Sequence, residues 1–306
     1  LTVDIGELGG SATALIGGDG SSSNPTWRIG AKNTTNTYAG VIADAGGAYL
    51  ASLIKTGTGM LVLSGGNTYS GGTTVSSGTL MASNTTGSAT GSGAVAVNTG
   101  GTLAGNGIIS GAVSVNSGGK FAPGLIAGIG RLTLSNNLTL AAGSTTYLRI
   151  QRSPLTNDSA TIYGTLNVGG TLTVTNIGGA LTNGDTFKLL NAANYAGSFS
   201  SLVLPTLNPG LRWDTNALSA SGTLSVIALA PPVFNSVTRL ADGTFRLNFS
   251  GPSGANYEVR ASTNAALTPF TSWPLVISGT FTGAVVTLDD LSATNYAQRF
   301  YLIRIP

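Results

Sequence analysis

A short unit recurs along residues 73–140 at nearly constant spacing. Thr73-Thr74-Val75 followed by Gly78-Thr79-Leu80 returns as Ala94-Val95-Ala96-Val97 followed by Gly101-Thr102-Leu103. It returns again as Ala112-Val113-Ser114-Val115 followed by Gly119-Lys120-Phe121, and more loosely as Arg131-Leu132-Thr133-Leu134 followed by Asn137-Leu138-Thr139-Leu140. The copies start at Thr73, Ala94, Ala112 and Arg131, an almost even step along the chain. Each is two alternating apolar runs around an Asn/Ser/Gly corner, with no helical stripe. One such unit cannot bury its own apolar face, but stacked copies can. The repeat predicts a β-solenoid, a parallel β-helix with a rung every ~18–21 residues. In that stack Val95, Val97 and Leu103 lie under Val113, Val115 and Phe121, and these under Leu132, Leu134 and Leu138. Val97, Leu103, Val115, Phe121 and Leu134 are the expected solenoid core.

Composition narrows the chemistry. The 306 residues include no Cys and no His, which removes a disulfide framework, a thiolate metal site, a Cys nucleophile and a Ser-His-Asp triad. Charged residues are 8%, against roughly 25% in an ordinary domain, while 42% of the chain is apolar, which argues against disorder. The 14 Lys and Arg are scattered and the net charge is only +3, so no nucleic-acid partner is expected. No apolar run is long enough to span a bilayer as a helix, so no membrane insertion of that kind is expected. The carboxylates are Asp4, Glu7, Asp19, Asp44, Asp158, Asp185, Asp214, Asp242, Glu258, Asp289 and Asp290, and none lies between Asp44 and Asp158. A β-helix lyase or hydrolase needs paired carboxylates on successive rungs. The repeats have none, so no catalytic residue and no cofactor is expected.

Three segments are expected. Residues 1–52 form an N-terminal strand segment entering the solenoid. Residues 53–230 hold the solenoid and its capping strands. Ala230-Pro231-Pro232 marks a stiff linker, and residues 231–306 carry longer alternating strands (TFRLNFS, NYEVRAS, RFYLIRI) that suit a small immunoglobulin- or fibronectin-like β-sandwich. The fold class is all-β throughout.

The stretch Leu53 to Leu80 resembles the autotransporter-associated β-strand repeat. Lys55, Gly57, Gly59, Leu61 and Leu63 match its first strand, Gly65, Gly66, Asn67, Tyr69 and Gly71 its turn, and Gly72, Thr73, Gly78, Thr79 and Leu80 its close. The likeness extends in texture over roughly residues 1–230. It implies a large secreted bacterial surface protein, β-helical and structural or adhesive, and carries no catalytic residue across. The chain opens at Leu1 rather than Met and is expected to be a processed or excised piece of a secreted precursor.

Two candidate sites remain. Asp289-Asp290 is a candidate Ca²⁺ site, but adjacent strand residues face opposite ways, so it would need a loop. The alternative is a solvated turn before the last strand. Leu1, Val3, Ile5 and Leu8 mark an apolar strand without a nearby hairpin partner. Residues 1–16 are therefore expected to pair with another copy as a donor strand. The expected function is an extracellular structural protein forming a surface fibre or layer. The alternative is an adhesin or a protein that binds surface polysaccharide.

Overall fold

The computed structural model describes residues 1–17, 23–44, 49–124 and 128–306. The chain divides into two units, Leu1–Thr206 with Trp213–Val226, and Leu207–Arg212 with Ile227–Pro306. The division falls just ahead of the Pro231-Pro232 pair. Leu207–Arg212 also leaves the segment expected to cap the solenoid, because Leu229 N donates to the Gly210 carbonyl at 2.8 Å.

The first unit is built from long parallel sheets, as a β-solenoid requires. One sheet runs, strand beside strand, from Thr2–Ile5 through Thr26–Ile29, Ser52–Lys55, Thr73–Val75, Val95–Val97, Val113–Val115, Leu138–Leu140 and Ser159–Val168 to Leu190–Gly197. A second runs from Asn36–Tyr38 through Met60–Leu63, Gly78–Ala82, Gly101–Gly105, Lys120–Pro123 and Thr145–Gln151 to Thr171–Asn176 and Ser201–Val203. Parallel strands cannot be joined by a tight hairpin. From Asn36–Tyr38 onward each returns to its sheet only after the chain has passed through the other. Alternation then sends every second side chain inward.

The inward columns follow the repeat. Val75, Val97, Val115 and Leu140 stand in one register line, and Leu80, Leu103 and Phe121 in another. Val97, Leu103, Val115 and Phe121 are all fully buried. Each such burial is worth roughly 1.5–3 kcal/mol.

Three expectations are corrected. Leu132 and Leu134 do not continue the Val113 and Val115 columns; Leu138 and Leu140 do. Arg131–Leu134 instead joins a third line of strands that already holds Ile108–Ile109. Leu134, also fully buried, lies there between Ile109 and Ile162. Rungs consequently lengthen: the chain travels further from Val113 to its next partner, Leu138, than it does from Val95 to Val113. Residues 1–52 are not a mere entry segment, because Thr2–Ile5 and Thr26–Ile29 lie in register with Ser52–Lys55. The strands Ser159–Val168 and Thr171–Asn176 are likewise full parallel rungs rather than caps.

The second unit holds two three-stranded antiparallel sheets. Val233–Arg239, Phe245–Ser250 and Val286–Asp290 form one; Leu275–Thr280, Asn256–Ser262 and Phe300–Arg304 form the other. Alternation buries Leu247 and Phe249 from the first against Tyr257 and Val259 from the second, with Phe281 completing the cluster. The Phe249 ring meets Tyr257 edge-on at 5.2 Å between centroids.

Candidate functional site

The repeat motif explains itself in three dimensions. Lys55 stands in an inward column between Ile29 and Val75 and is 1% exposed. Its Nζ donates to the carbonyls of Thr56 (2.5 Å), Gly57 (3.1 Å) and Ser77 (3.3 Å). A buried ammonium is costly unless its protons are accepted, and these corner carbonyls accept them. Burial still pushes Lys55 below the ordinary lysine range. The glycines beside it are required. Gly57 has φ 68° and a Cβ there would run into the Gly30 carbonyl; Gly78 has φ 66° and a Cβ would come within 2.8 Å of Lys55 Nζ. Asn67, also buried, ties neighbouring turns together: its Oδ1 accepts from Ile42 N at 2.7 Å and its Nδ2 donates to the Ala89 carbonyl at 2.6 Å. Tyr69 is fully buried, with its hydroxyl 2.6 Å from Thr73 Oγ1. The motif residues therefore hold corners, and the lysine is a structural cation.

The carboxylates are held by local partners. Asp158, 1% exposed, is bound by Arg149 Nε at 2.6 Å and also accepts from Gly130 N. Asp185 meets Arg152 at 3.1 Å. For Asp44 burial works to raise the pKa, yet hydrogen bonds from the Ser70 hydroxyl, Ala51 N and Ser70 N prevail and hold it below the usual aspartate range. Asp19 lies outside the described residues. Among those described, no three carboxylates cluster where they could share a metal.

Asp289 and Asp290 do not converge. They end the strand Val286–Asp290 and face opposite sides of it. Asp289 is bound by both Arg246 Nε (2.8 Å) and Arg246 Nη2 (2.7 Å). Asp290 is not a solvated turn residue: it is 3% exposed, accepts from Tyr301 Oη and Ser292 Oγ, and meets Arg299 Nε at 3.1 Å. Two carboxylates on opposite faces of a strand, each paired with its own arginine, leave no shared face for Ca²⁺.

The amino-terminal strand is the remaining site. It is not free, since Thr2–Ile5 pairs in parallel with Thr26–Ile29. A parallel partner from the next rung, rather than a hairpin, takes one edge of it. Thr26 N donates to the Leu1 carbonyl and Gly30 N to the Ile5 carbonyl. Strand alternation then turns the N–H and C=O groups of Thr2 and Asp4 to the opposite edge, where no described strand pairs with them. Leu1 is 72% exposed, Val3 and Ile5 are half-buried, and Leu8 is buried. Only Leu1 of the four projects fully into solvent.

Residues 53–82 match the family model described as the passenger-associated-transport-repeat. No curated protein matches the chain.

Proposed function

We propose that this chain is a non-catalytic structural segment of a secreted or cell-surface protein. Its stack of rungs extends by β-strand addition between copies, and its second unit is a small immunoglobulin- or fibronectin-like β-sandwich module. The repeat at residues 53–82 supports the passenger-type, surface reading. The observation that carries the assembly reading is the edge of Thr2–Ile5. An unpaired parallel edge is a template for another strand. The second sheet ends in Ser201–Val203, where Leu202 and Val203 are 38% and 52% exposed. Joining unlike ends is a heterologous contact, which does not close and so gives a filament.

The test uses the full chain in sizing columns and negative-stain microscopy. Thr2→Pro with Asp4→Pro removes the two backbone donors directed to the open edge, together with the exposed Asp4–Arg28 ion pair, and Asp4→Asn controls for the loss of that pair. Filaments from the parent and monomers from the double variant, at equal melting temperature, are the expected result. A parent that stays monomeric at every concentration overturns the assembly reading. Protease shaving of intact cells tests the surface reading separately, and a chain that survives it intact inside the cell overturns that one.

A further inference from the structure

We propose that the outward face of the second sheet carries a binding groove for an acidic polysaccharide, centred on Lys120. The register sets Thr79, Thr102 and Lys120 in one outward line across three rungs. The next outward residues, Met81 and Ala104, are each only 6% exposed, so this face is recessed rather than flat. The groove holds about 360 Å³, with Ala122 in its floor and Tyr147 beside it.

Its charge is unbalanced. Lys120 Nζ lies 4.6 Å from the centroid of the Tyr147 ring and meets no carboxylate among the described residues. The chain offers none between Asp44 and Asp158. Asp158 does line the groove, but it is spent on Arg149. One uncompensated cation therefore sits among threonine hydroxyls and small side chains.

That combination fits a sugar carboxylate on Lys120 with ring hydroxyls on Thr79 and Thr102. Successive rungs lie roughly 4.8 Å apart, so the hydroxyls repeat at even steps, as a repeating polymer needs. A nucleic acid fits poorly, because its phosphate density calls for several cations and not one. The groove uses the face of the sheet and not its edge, so it stands whether or not copies assemble.

The test is calorimetric titration of the full chain with polygalacturonate, its fully methyl-esterified form, alginate and single-stranded DNA. Binding to one of the acidic polysaccharides, loss with the ester and no binding to DNA are expected. Lys120→Met, which keeps the aliphatic stem, should weaken binding roughly tenfold or more, and Lys120→Arg should retain it. Thr102→Trp should abolish binding by filling the groove. Melting temperature reports folding of each variant, and Lys120→Met alone decides the matter if Thr102→Trp fails to fold. No binding to either acidic polysaccharide, equal binding to the ester or to DNA, or an unchanged Lys120→Met overturns the proposal.

Discussion

The rungs around residues 53–121 and the second unit are both all-β, yet they are held together differently. In the rungs, a residue packs on its counterpart one turn away, Val97 on Val75 and Val115 on Val97. The core there is aliphatic columns, and the one buried cation, Lys55, is satisfied by backbone carbonyls. In the second unit the core is an aromatic cluster drawn from separate strands. Its partners are remote in sequence: Glu258 pairs with Arg304 at 2.8 Å and Asp289 with Arg246 at 2.7 Å. The first arrangement shares stability among neighbouring rungs. The second places it in one cluster, which forms or fails as a whole. Low charge is thus a property of the stack, where each rung repeats the last and like charges would repeat with it.

The largest expected effect tests the columns. Val115→Asp puts an unpaired charge between Val97 and Leu140 and should destabilise the first unit by on the order of 4 kcal/mol. Urea unfolding checks it, and a parental midpoint would break the column assignment. Next, Phe249→Ala should cost about 3–5 kcal/mol and speed amide exchange throughout residues 233–306. Phe121→Ala should cost a similar amount but loosen chiefly the rungs beside it. Equal spread of exchange in both variants would erase the contrast between the units.

Acid should separate the two units more gently. Glu258 is held below its usual 4.5 by hydrogen bonds from Arg260 and then Arg304, and Asp289 below its usual 3.8 by Arg246. Asp242 is held down by the Thr244 hydroxyl and Thr244 N. Folded values below unfolded ones mean stability that is present above the unfolded values and lost as pH falls through the folded ones. Calorimetry from about pH 5 down to about pH 3 should lower the second unit's melting temperature. The first unit, where one such carboxylate, Asp44, is held low by Ser70 and Ala51, should respond less. Asp289 and Asp242 are exposed and Glu258 is half-buried, so salt should shrink the shift; a larger fall in the first unit would contradict the assignment. The smallest effect concerns the outer ladder, where Asn116 Nδ2 donates to Asn98 Oδ1 at 2.8 Å. Asn116→Ala should cost about 0.5–1 kcal/mol, measured by the same urea midpoint.

Much of the stack is legible in the sequence because its period is local. The alternation at 95–97 and 113–115, and the Gly-Thr-Leu and Gly-Lys-Phe runs, identify the columns of Val97 and Val115 and of Leu103 and Phe121. The lysine replacing threonine at position 120 is also visible there, and it marks the proposed groove. What a repeat cannot reveal is which of two equivalent alternations continues a column. Arg131–Leu134 and Leu138–Leu140 both alternate, and only pairing with Ile109 and Val113 tells them apart. Nor does a lysine in a strand announce that corner carbonyls will enclose it, or two adjacent aspartates that each will be taken by a different arginine. Periodicity is written by neighbours along the chain, so the sequence alone determined the strands, the stacking and the columns near the repeat. Register, the third line of strands and the partners of Lys55, Asp158 and Asp290 are set by backbone and side chains distant in sequence, and only the tertiary structure decided them.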